Sequence, residues 1–237
     1  MFVTTKGILL HKTKYSDTSI IVKIFTEHFG TQSFIIKNAF SKKSKINYSF
    51  FTSLALLEIT FDDVILHKLG FLKDVCFSKQ YIKIPFDPSR NAILFFYNEL
   101  LYKLLRNSYE DRKMFELIEK SLMELDTVEK LSPDTHLYFL ADLMQTLGIF
   151  PENDYSLRKP FFSIEENRFS DIYVDNKFFL SEEASTYFSE ILNRQHTTLP
   201  PKPVRNEVLT GMVQYLIVHN EHIYTLDSLG ILMELMK

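Results

Sequence analysis

The sequence has little of several residue types on which common protein chemistry depends. It contains one cysteine, Cys76, only six glycines and no tryptophan. A lone cysteine excludes an internal disulfide and a cysteine-based zinc site, and its neighbours Val75 and Phe77 predict a buried, structural thiol. With so few glycines, the sequence contains neither a Walker loop nor the glycine-rich loop of a dinucleotide-binding site.

Long apolar runs are also missing. The longest runs, such as residues 93–97, fall far short of the roughly 20 residues that a membrane-spanning helix needs. Residues 1–10 lack the basic start and long apolar stretch of a secretory signal. Because hydrophobic residues make up 46% of the chain and charged residues 24%, we expect a folded, soluble, cytoplasmic protein.

Motifs for catalysis are absent as well. No Gly-x-Ser-x-Gly elbow occurs, and the acids are scattered without a recognisable pair. His219 and His222 lie three residues apart, but without a local third ligand they indicate structural or exposed histidines rather than a metal site. We therefore expect a binding protein rather than an enzyme. An enzyme that acts on nucleic acid through a site without a local pattern is the alternative.

The charges, by contrast, are unevenly distributed. Residues 1–85 hold twelve lysines, no arginine and six acids, a net charge of +6, whereas the remainder is at −9. Such asymmetry is typical of a nucleic-acid-binding part joined to a part with another role, although a lysine-rich surface can also serve solubility alone. Three of the lysines, Lys42, Lys43 and Lys45, are concentrated in one turn-like segment at residues 38–48.

The first part has the pattern of β structure. Residues 19–26 (SIIVKIFT), 31–37 and 53–61 are rich in β-branched and alternating apolar residues, and Gly30 suits a hairpin turn between the first two. Five or so short strands within about eighty residues favour a small barrel of the OB type.

After residue 88 the apolar period changes from two to 3.6. We predict helices at 89–107, at 110–128, from Ser132-Pro133 to a stop at Gly148, from a Ser181 cap to about 194, at 204–220 and at 226–236, with a stiff linker at 197–203. The fold class is therefore α+β: an N-terminal OB-fold β-barrel at residues 1–83, followed by an all-helical domain at 84–237 with a small inserted β-hairpin at about 160–180 that turns at Glu166-Asn167.

Several segments, taken in order, resemble a known family. Residues 6–10 (KGILL), 15–19 (YSDTS), 21–22 (IV), the turn from Thr26 to Gly30 and the basic 41–45 loop (SKKSK) are similar to the amino-terminal OB domain of the bacterial recombination mediator family RecO. Towards the other end, Arg205, Tyr215, His219 and the Ser228-Leu229-x-x-Leu232 segment resemble the final helices of that family.

The resemblance implies a DNA-binding mediator without catalytic activity. RecO-like proteins bind single- and double-stranded DNA, anneal complementary strands, engage the single-strand-binding protein SSB and RecR, and help to load RecA, which would place the protein at the nucleoid. Many family members carry a four-cysteine zinc module. The corresponding residues 147–180 contain no cysteine, so we expect no cofactor and infer that packing of Phe161, Phe162, Phe169 and Phe179 replaces the metal.

Candidate contact residues follow from charge and from the resemblance. The DNA-binding candidates are Lys12, Lys14, Lys37, Phe40, Lys42, Lys43, Lys45 and Tyr48, with the two aromatic rings as possible stacking surfaces. Phe34 is expected in the core. For the acidic tail of SSB, the candidates are the basic residues near the first helix–helix turn, Lys103, Arg106, Arg112 and Lys113. An RNA-binding OB protein without a role in recombination is the other alternative.

Overall fold

A computed structural model describes residues 1–66, 68–195 and 198–235. Its contacts divide the chain into two compact units, Met1–Val128 and Glu129–Lys237. The predicted domain boundary at residues 83 and 84 lies where strands give way to helices. The boundary between the two units lies later in the chain, because the units are defined by which elements pack together. The first two helices belong to the first unit because they pack against its sheet. Asn98, for example, donates from Nδ2 to the Leu10 carbonyl at 2.9 Å.

Six strands form the sheet of the first unit. They are β1 (Phe2–Lys14), β2 (Ile20–Thr26), β3 (Gly30–Ile36), β4 (Leu56–Asp62), β5 (Leu69–Gly70) and β6 (Leu72–Lys79), in the spatial order β5-β3-β2-β1-β4-β6. The long β1 pairs with both β2 and β4, and a register shift between Leu9 and His11 bends it. An N-terminal β region followed by helices confirms the α+β class. The region is OB-fold-like, and its described ladders do not show a closed barrel.

Alternation along β2 sets the two faces of the sheet. Val22 and Ile24 are fully buried in the core, while the alternating residues Ile21 and Lys23 point to the other face. Phe34, on β3, is also fully buried, which confirms its predicted core position.

The β2–β3 hairpin turns at Gly30, as predicted. Gly30 has a φ of +63°, a conformation that side chains rarely tolerate. Thr26 stabilises the turn, since its Oγ1 donates to the Gly30 carbonyl at 2.8 Å and accepts from the Phe29 amide at 3.0 Å. A Cβ at Gly30 would lie 2.6 Å from the carbonyl carbon of Tyr109, so the turn is packed tightly against that segment.

Helices α1 (Pro88–Leu105) and α2 (Arg112–Thr127) confirm the predicted apolar stripes. The predicted stripe residues are all buried: Ile93, Phe96, Tyr97, Leu100, Leu101, Leu104 and Leu105 on α1, and Phe115, Ile118, Leu122 and Leu125 on α2. Asp87 caps α1 by accepting from the amides of Ser89 and Arg90.

The second unit contains four helices and a short hairpin within its described residues. They are α3 (Thr135–Thr146), β7 (Phe161–Ser163), β8 (Arg168–Ser170), α4 (Glu182–Asn193), α5 (Lys202–His219) and α6 (Ser228–Leu235). Ser181 caps α4 and Gly148 ends α3 at φ +73°, both as predicted. The start of the predicted 197–203 linker, Thr197, and residue 236 of the last helix lie outside the described residues. Across the described ranges, no helix is both long and apolar enough to cross a membrane.

Several boundaries in this unit were predicted wrongly. Helix α5 begins at Lys202, inside the predicted 197–203 linker, and α6 begins at Ser228 rather than at 226. Helix α3 begins at Thr135 rather than at Ser132-Pro133, because residues 133–134 form a turn in which the Ser132 carbonyl accepts from the Thr135 amide. The hairpin turns near Asn167 as predicted, yet its paired strands have three residues each. Residues 171–177 form bends, irregular backbone and the start of a turn instead of strands, consistent with the three Asp or Asn residues among them.

The prediction of a buried Cys76 was also wrong. Cys76 is exposed, because the alternation of β6 turns the neighbouring Val75 inward and Cys76 outward, opposite Glu58 on β4. Desolvation, followed by the charges of Glu58 and Asp74, raises the pKa of the thiol. A raised pKa lowers the thiolate fraction, so exposure does not make this cysteine a strong nucleophile.

Candidate nucleic-acid interface

The basic loop at residues 38–50 is folded back on itself immediately after β3. Asn38 has a φ of +53°, and the Tyr48 amide donates to the Ala39 carbonyl at 2.7 Å, which closes the loop. The Asn47 side chain accepts from the Ser49 amide at 3.0 Å and caps a short helical turn at Tyr48–Phe50. The loop therefore presents its side chains from a defined backbone.

Two aromatic rings stack on the outside of this loop. The centroids of Phe40 and Tyr48 lie 5.3 Å apart with 29° between the ring planes. The residues remain 52% and 40% exposed, respectively, although apolar rings of this size are usually covered. A concave surface of about 380 Å³ adjoins the pair and is also lined by Lys42 and Asn47. We call this arrangement the aromatic loop site.

Lys12 joins this site from β1. Its Nζ lies 4.0 Å from the centre of the Tyr48 ring and donates to the Phe51 carbonyl at 2.7 Å. The cation therefore supports the ring and contributes positive charge beside it. The structure thus brings together four of the predicted residues, Lys12, Phe40, Lys42 and Tyr48.

The other predicted cations of this region lie in different surroundings. Lys45 forms an ion pair with Asp74 at 3.0 Å, and this contact lowers the pKa of the Asp74 carboxyl. Lys14 pairs with Asp17 at 3.1 Å, and Lys37 lies 4.8 Å from the ring centre of Phe71. Lys43 is exposed on the loop itself.

The four basic residues predicted near the first helix–helix turn do not share one environment. Lys103 pairs with Glu99 at 2.7 Å, and Arg112 pairs with Glu116 at 2.9 Å, each one helical turn away. Arg106 and Lys113 are exposed.

A second basic surface was missed by sequence reasoning. Lys23, Lys68 and Arg106 line a groove of about 700 Å³ on the same unit. These residues come from β2, from the residue before β5 and from the end of α1, so no local pattern connects them. The one available signal was the outward position of Lys23 between two buried residues of β2.

In the second unit, aromatic residues form a buried cluster beneath the short hairpin. Phe162 and Phe169 are almost completely buried, with ring centroids 5.1 Å apart, and Phe162 lies 4.7 Å from Phe188. The predicted Phe161 and Phe179 lie at the edge of the cluster, where both contact Tyr173. Among the residues that the structure describes in this chain, no three His, Cys, Asp or Glu side chains are placed to hold a metal.

The two histidines at the end of α5 have separate positions. His219 makes a 2.7 Å hydrogen bond through Nε2 with the Ile164 carbonyl and packs against Tyr215 at 4.3 Å, which is a structural role. His222 is exposed in the following turn.

Comparison with known proteins gives a consistent result over the full length. The family described as "Recombination protein O N terminal" matches residues 1–81, and "Recombination protein O C terminal" matches residues 85–215. Relatives named "DNA repair protein RecO" include those of Bacteroides fragilis (30% identical), Phocaeicola vulgatus (28%) and Flavobacterium psychrophilum (27%), and each alignment covers 99% of both chains. The matches confirm the resemblance seen in the sequence. The chain belongs to the recombination protein O (RecO) family.

Proposed function

We propose that this protein is a non-enzymatic mediator of recombinational DNA repair that binds DNA at the aromatic loop site and anneals complementary strands. The observation that carries the proposal is the exposed, stacked Phe40–Tyr48 pair with Lys12 and Lys42 beside it. Family membership supplies the context of DNA repair.

The chemistry of this site suits a single strand. Lysines neutralise phosphates without reading bases, and exposed rings stack on bases of any identity. Binding should therefore be largely independent of sequence and sensitive to salt. If about five phosphates are contacted, the logarithm of the affinity should fall with that of the salt concentration at a slope of roughly −3 to −4.

This mode of binding also favours annealing. A base that stacks on a protein ring keeps its hydrogen-bonding edge available to a second strand. Because the contacts involve backbone charge and ring faces, they do not compete with base pairing. In this proposal the activity requires no metal or cofactor, and aromatic packing rather than zinc stabilises the hairpin of the second unit.

The partners in this proposal are SSB, RecR and, indirectly, RecA. Lys103, Arg106, Arg112 and Lys113 stay the candidates for the acidic SSB tail. An acidic tail would have to compete with Glu99 for Lys103 and with Glu116 for Arg112, so we expect the two paired residues to contribute less than the other two.

The test compares wild type with the Phe40→Ala/Tyr48→Ala variant in single-strand binding and in annealing of labelled complementary strands, bare and SSB-coated. Loss of base stacking is expected to weaken binding about tenfold to a hundredfold. A Lys42→Gln/Lys43→Gln variant should weaken binding and flatten the salt dependence. Annealing should proceed without magnesium.

The same unit offers a matched control. Lys73 lies 3.7 Å from the ring centre of Phe2, which is also exposed, so Phe2→Ala/Lys73→Gln removes a cation–aromatic pair elsewhere. This control should keep wild-type affinity. Unchanged binding by the Phe40→Ala/Tyr48→Ala variant, or magnesium-dependent strand cleavage, would refute the proposal. Tighter binding to RNA than to DNA of the same sequence would favour a role outside recombination.

A further inference from the structure

The groove lined by Lys23, Lys68 and Arg106 lies on the outer face of the sheet in the first unit. Its floor comes from outward-facing residues of β2 and β3, including Ile21 and Ser33, and its rim includes Tyr109, which is 80% exposed. We call it the outer groove. It shares no lining residue with the aromatic loop site.

One wall of the outer groove, residues 105–109, is attached to β3. The Thr31 amide donates to the Ser108 carbonyl at 2.9 Å, and Thr31 Oγ1 donates to the Leu105 carbonyl at 2.5 Å. Tight packing of Gly30 against Tyr109 holds the same wall. The shape of the groove is therefore preformed, which lowers the entropic cost of binding a ligand.

The charge of the outer groove has one sign. Of the lining residues that the structure describes, three are cations, none is Asp or Glu, and the remaining polar groups are neutral hydroxyls and an amide. Lys23 donates from Nζ to the Arg106 carbonyl at 3.0 Å, at the C-terminal end of α1. This contact offsets the negative end of the helix dipole, so the groove stays favourable for an anion.

We propose that the outer groove binds the sugar–phosphate backbone of a second nucleic-acid strand, while the first strand occupies the aromatic loop site. The proposal rests on the function proposed above and extends it, because holding two strands on one protein would promote their annealing. Lys68 and Arg106 contact phosphates, and Tyr109 supplies a ring on which a base stacks.

Arg106 is also one of the candidates for the acidic SSB tail, but the composition of the groove as a whole favours nucleic acid over an acidic peptide with an apolar end. Such a peptide would need a site with a deep apolar pocket beside the cations of the protein. The aliphatic residues of this groove are Ile21 and Leu69, and Leu69 is half exposed. The three cations are instead contributed by separate elements, which suits a charged backbone that passes between them.

Calorimetric titration with an eight-nucleotide oligothymidine tests the proposal, since thymine is not complementary to itself and the strands cannot pair with one another. Wild type should bind two strands per chain, and Lys68→Gln/Arg106→Gln should bind one. Any residual binding at the second site of the double variant should be at least about tenfold weaker than in the wild type. The slope of log affinity against log salt concentration at that site should be smaller by about 1.4, for two lost phosphate contacts. Both side chains are exposed, so the fold should be unaffected.

The matched control is Lys73→Gln/Lys120→Gln, which removes the same charge from two exposed positions elsewhere on this unit and should still bind two strands. Phe40→Ala/Tyr48→Ala should lose the other site and keep the one that depends on Lys68 and Arg106, so failures of the two sites can be told apart. A wild-type stoichiometry of one would overturn the second site. So would a Lys68→Gln/Arg106→Gln variant that keeps two oligonucleotides but loses binding of an acidic peptide ending in Phe.

Discussion

The two units use the same residue types in opposite ways. In the first unit, Phe40 and Tyr48 stack in solvent next to cations. In the second unit, Phe162 packs against Phe169 and Phe188 and is 1% exposed. Since the rings are chemically similar, it is the burial or exposure of a ring that decides whether it stabilises the fold or is available to a ligand.

Charge follows the same division. The first unit, residues 1–128, has eighteen bases and fourteen acids, whereas the second has nine bases and sixteen acids. The excess positive charge is thus in the unit that also carries both the aromatic loop site and the outer groove. A nucleic acid would be attracted to the first unit and repelled by the second.

Removing one aromatic ring from each unit should show the largest difference in stability between them. Phe162→Ala should destabilise the second unit by about 3–5 kcal/mol, because it leaves a cavity in a closely packed aromatic cluster. Phe40→Ala should cost about 1 kcal/mol or less, because the ring is half exposed. Chemical denaturation of the full chain measures both changes. Equal losses of stability for the two substitutions would contradict this difference between the two units.

A second pair of substitutions compares two glycines that both have positive φ. Gly30→Ala should cost about 3 kcal/mol or more, because the left-handed backbone is strained and the added Cβ meets the backbone of Ser108 and Tyr109. Gly148→Ala should cost only about 1 kcal/mol, because nothing lies within 4 Å of the added Cβ and the strain acts alone.

Thermal unfolding of the two glycine variants provides the measurement. If Gly30→Ala is no more harmful than Gly148→Ala, the turn is not held against residues 108–109 as described. In that case the preformed wall of the outer groove would also lose its support.

The stability of the second unit should depend on pH through the buried His136. Burial, followed by the nearby charge of Arg205, lowers the pKa of His136 from 6.5 to about 4. The unfolded chain therefore takes up the proton more readily than the folded one. Stability is fully present above pH 6.5 and falls as the pH decreases towards 4, by up to about 3 kcal/mol.

Denaturation at a series of pH values, for wild type and His136→Leu, measures this effect. No partner is found for the buried Nδ1 of His136 in the described structure, so an apolar replacement should be tolerated and should reduce the pH dependence. Exposed His222→Asn is the control and should keep the wild-type profile. Parallel profiles for wild type and His136→Leu would contradict the assignment.

Much of the fold could be predicted because it depends on local pattern. The stripes of α1 and α2, the Ser181 cap and the turn at Gly30 each depend on residues within a few positions of one another. The start of α3 and the extent of the hairpin were wrong because turn-forming residues override a weak local preference. Cys76 was misplaced because apolar neighbours do not reveal which way a strand alternates.

The lysine-rich β region, the helical second half and the family could be recognised from the amino-acid sequence alone, since composition, periodicity and the order of short motifs lie along the chain. Tertiary structure alone brings Phe40, Tyr48, Lys12 and Lys42 together and pairs Lys45 with Asp74. It also decided that Lys23, Lys68 and Arg106 share a groove. The reason is physical: a contact between residues distant in sequence depends on strand pairing and helix packing, which no local pattern specifies.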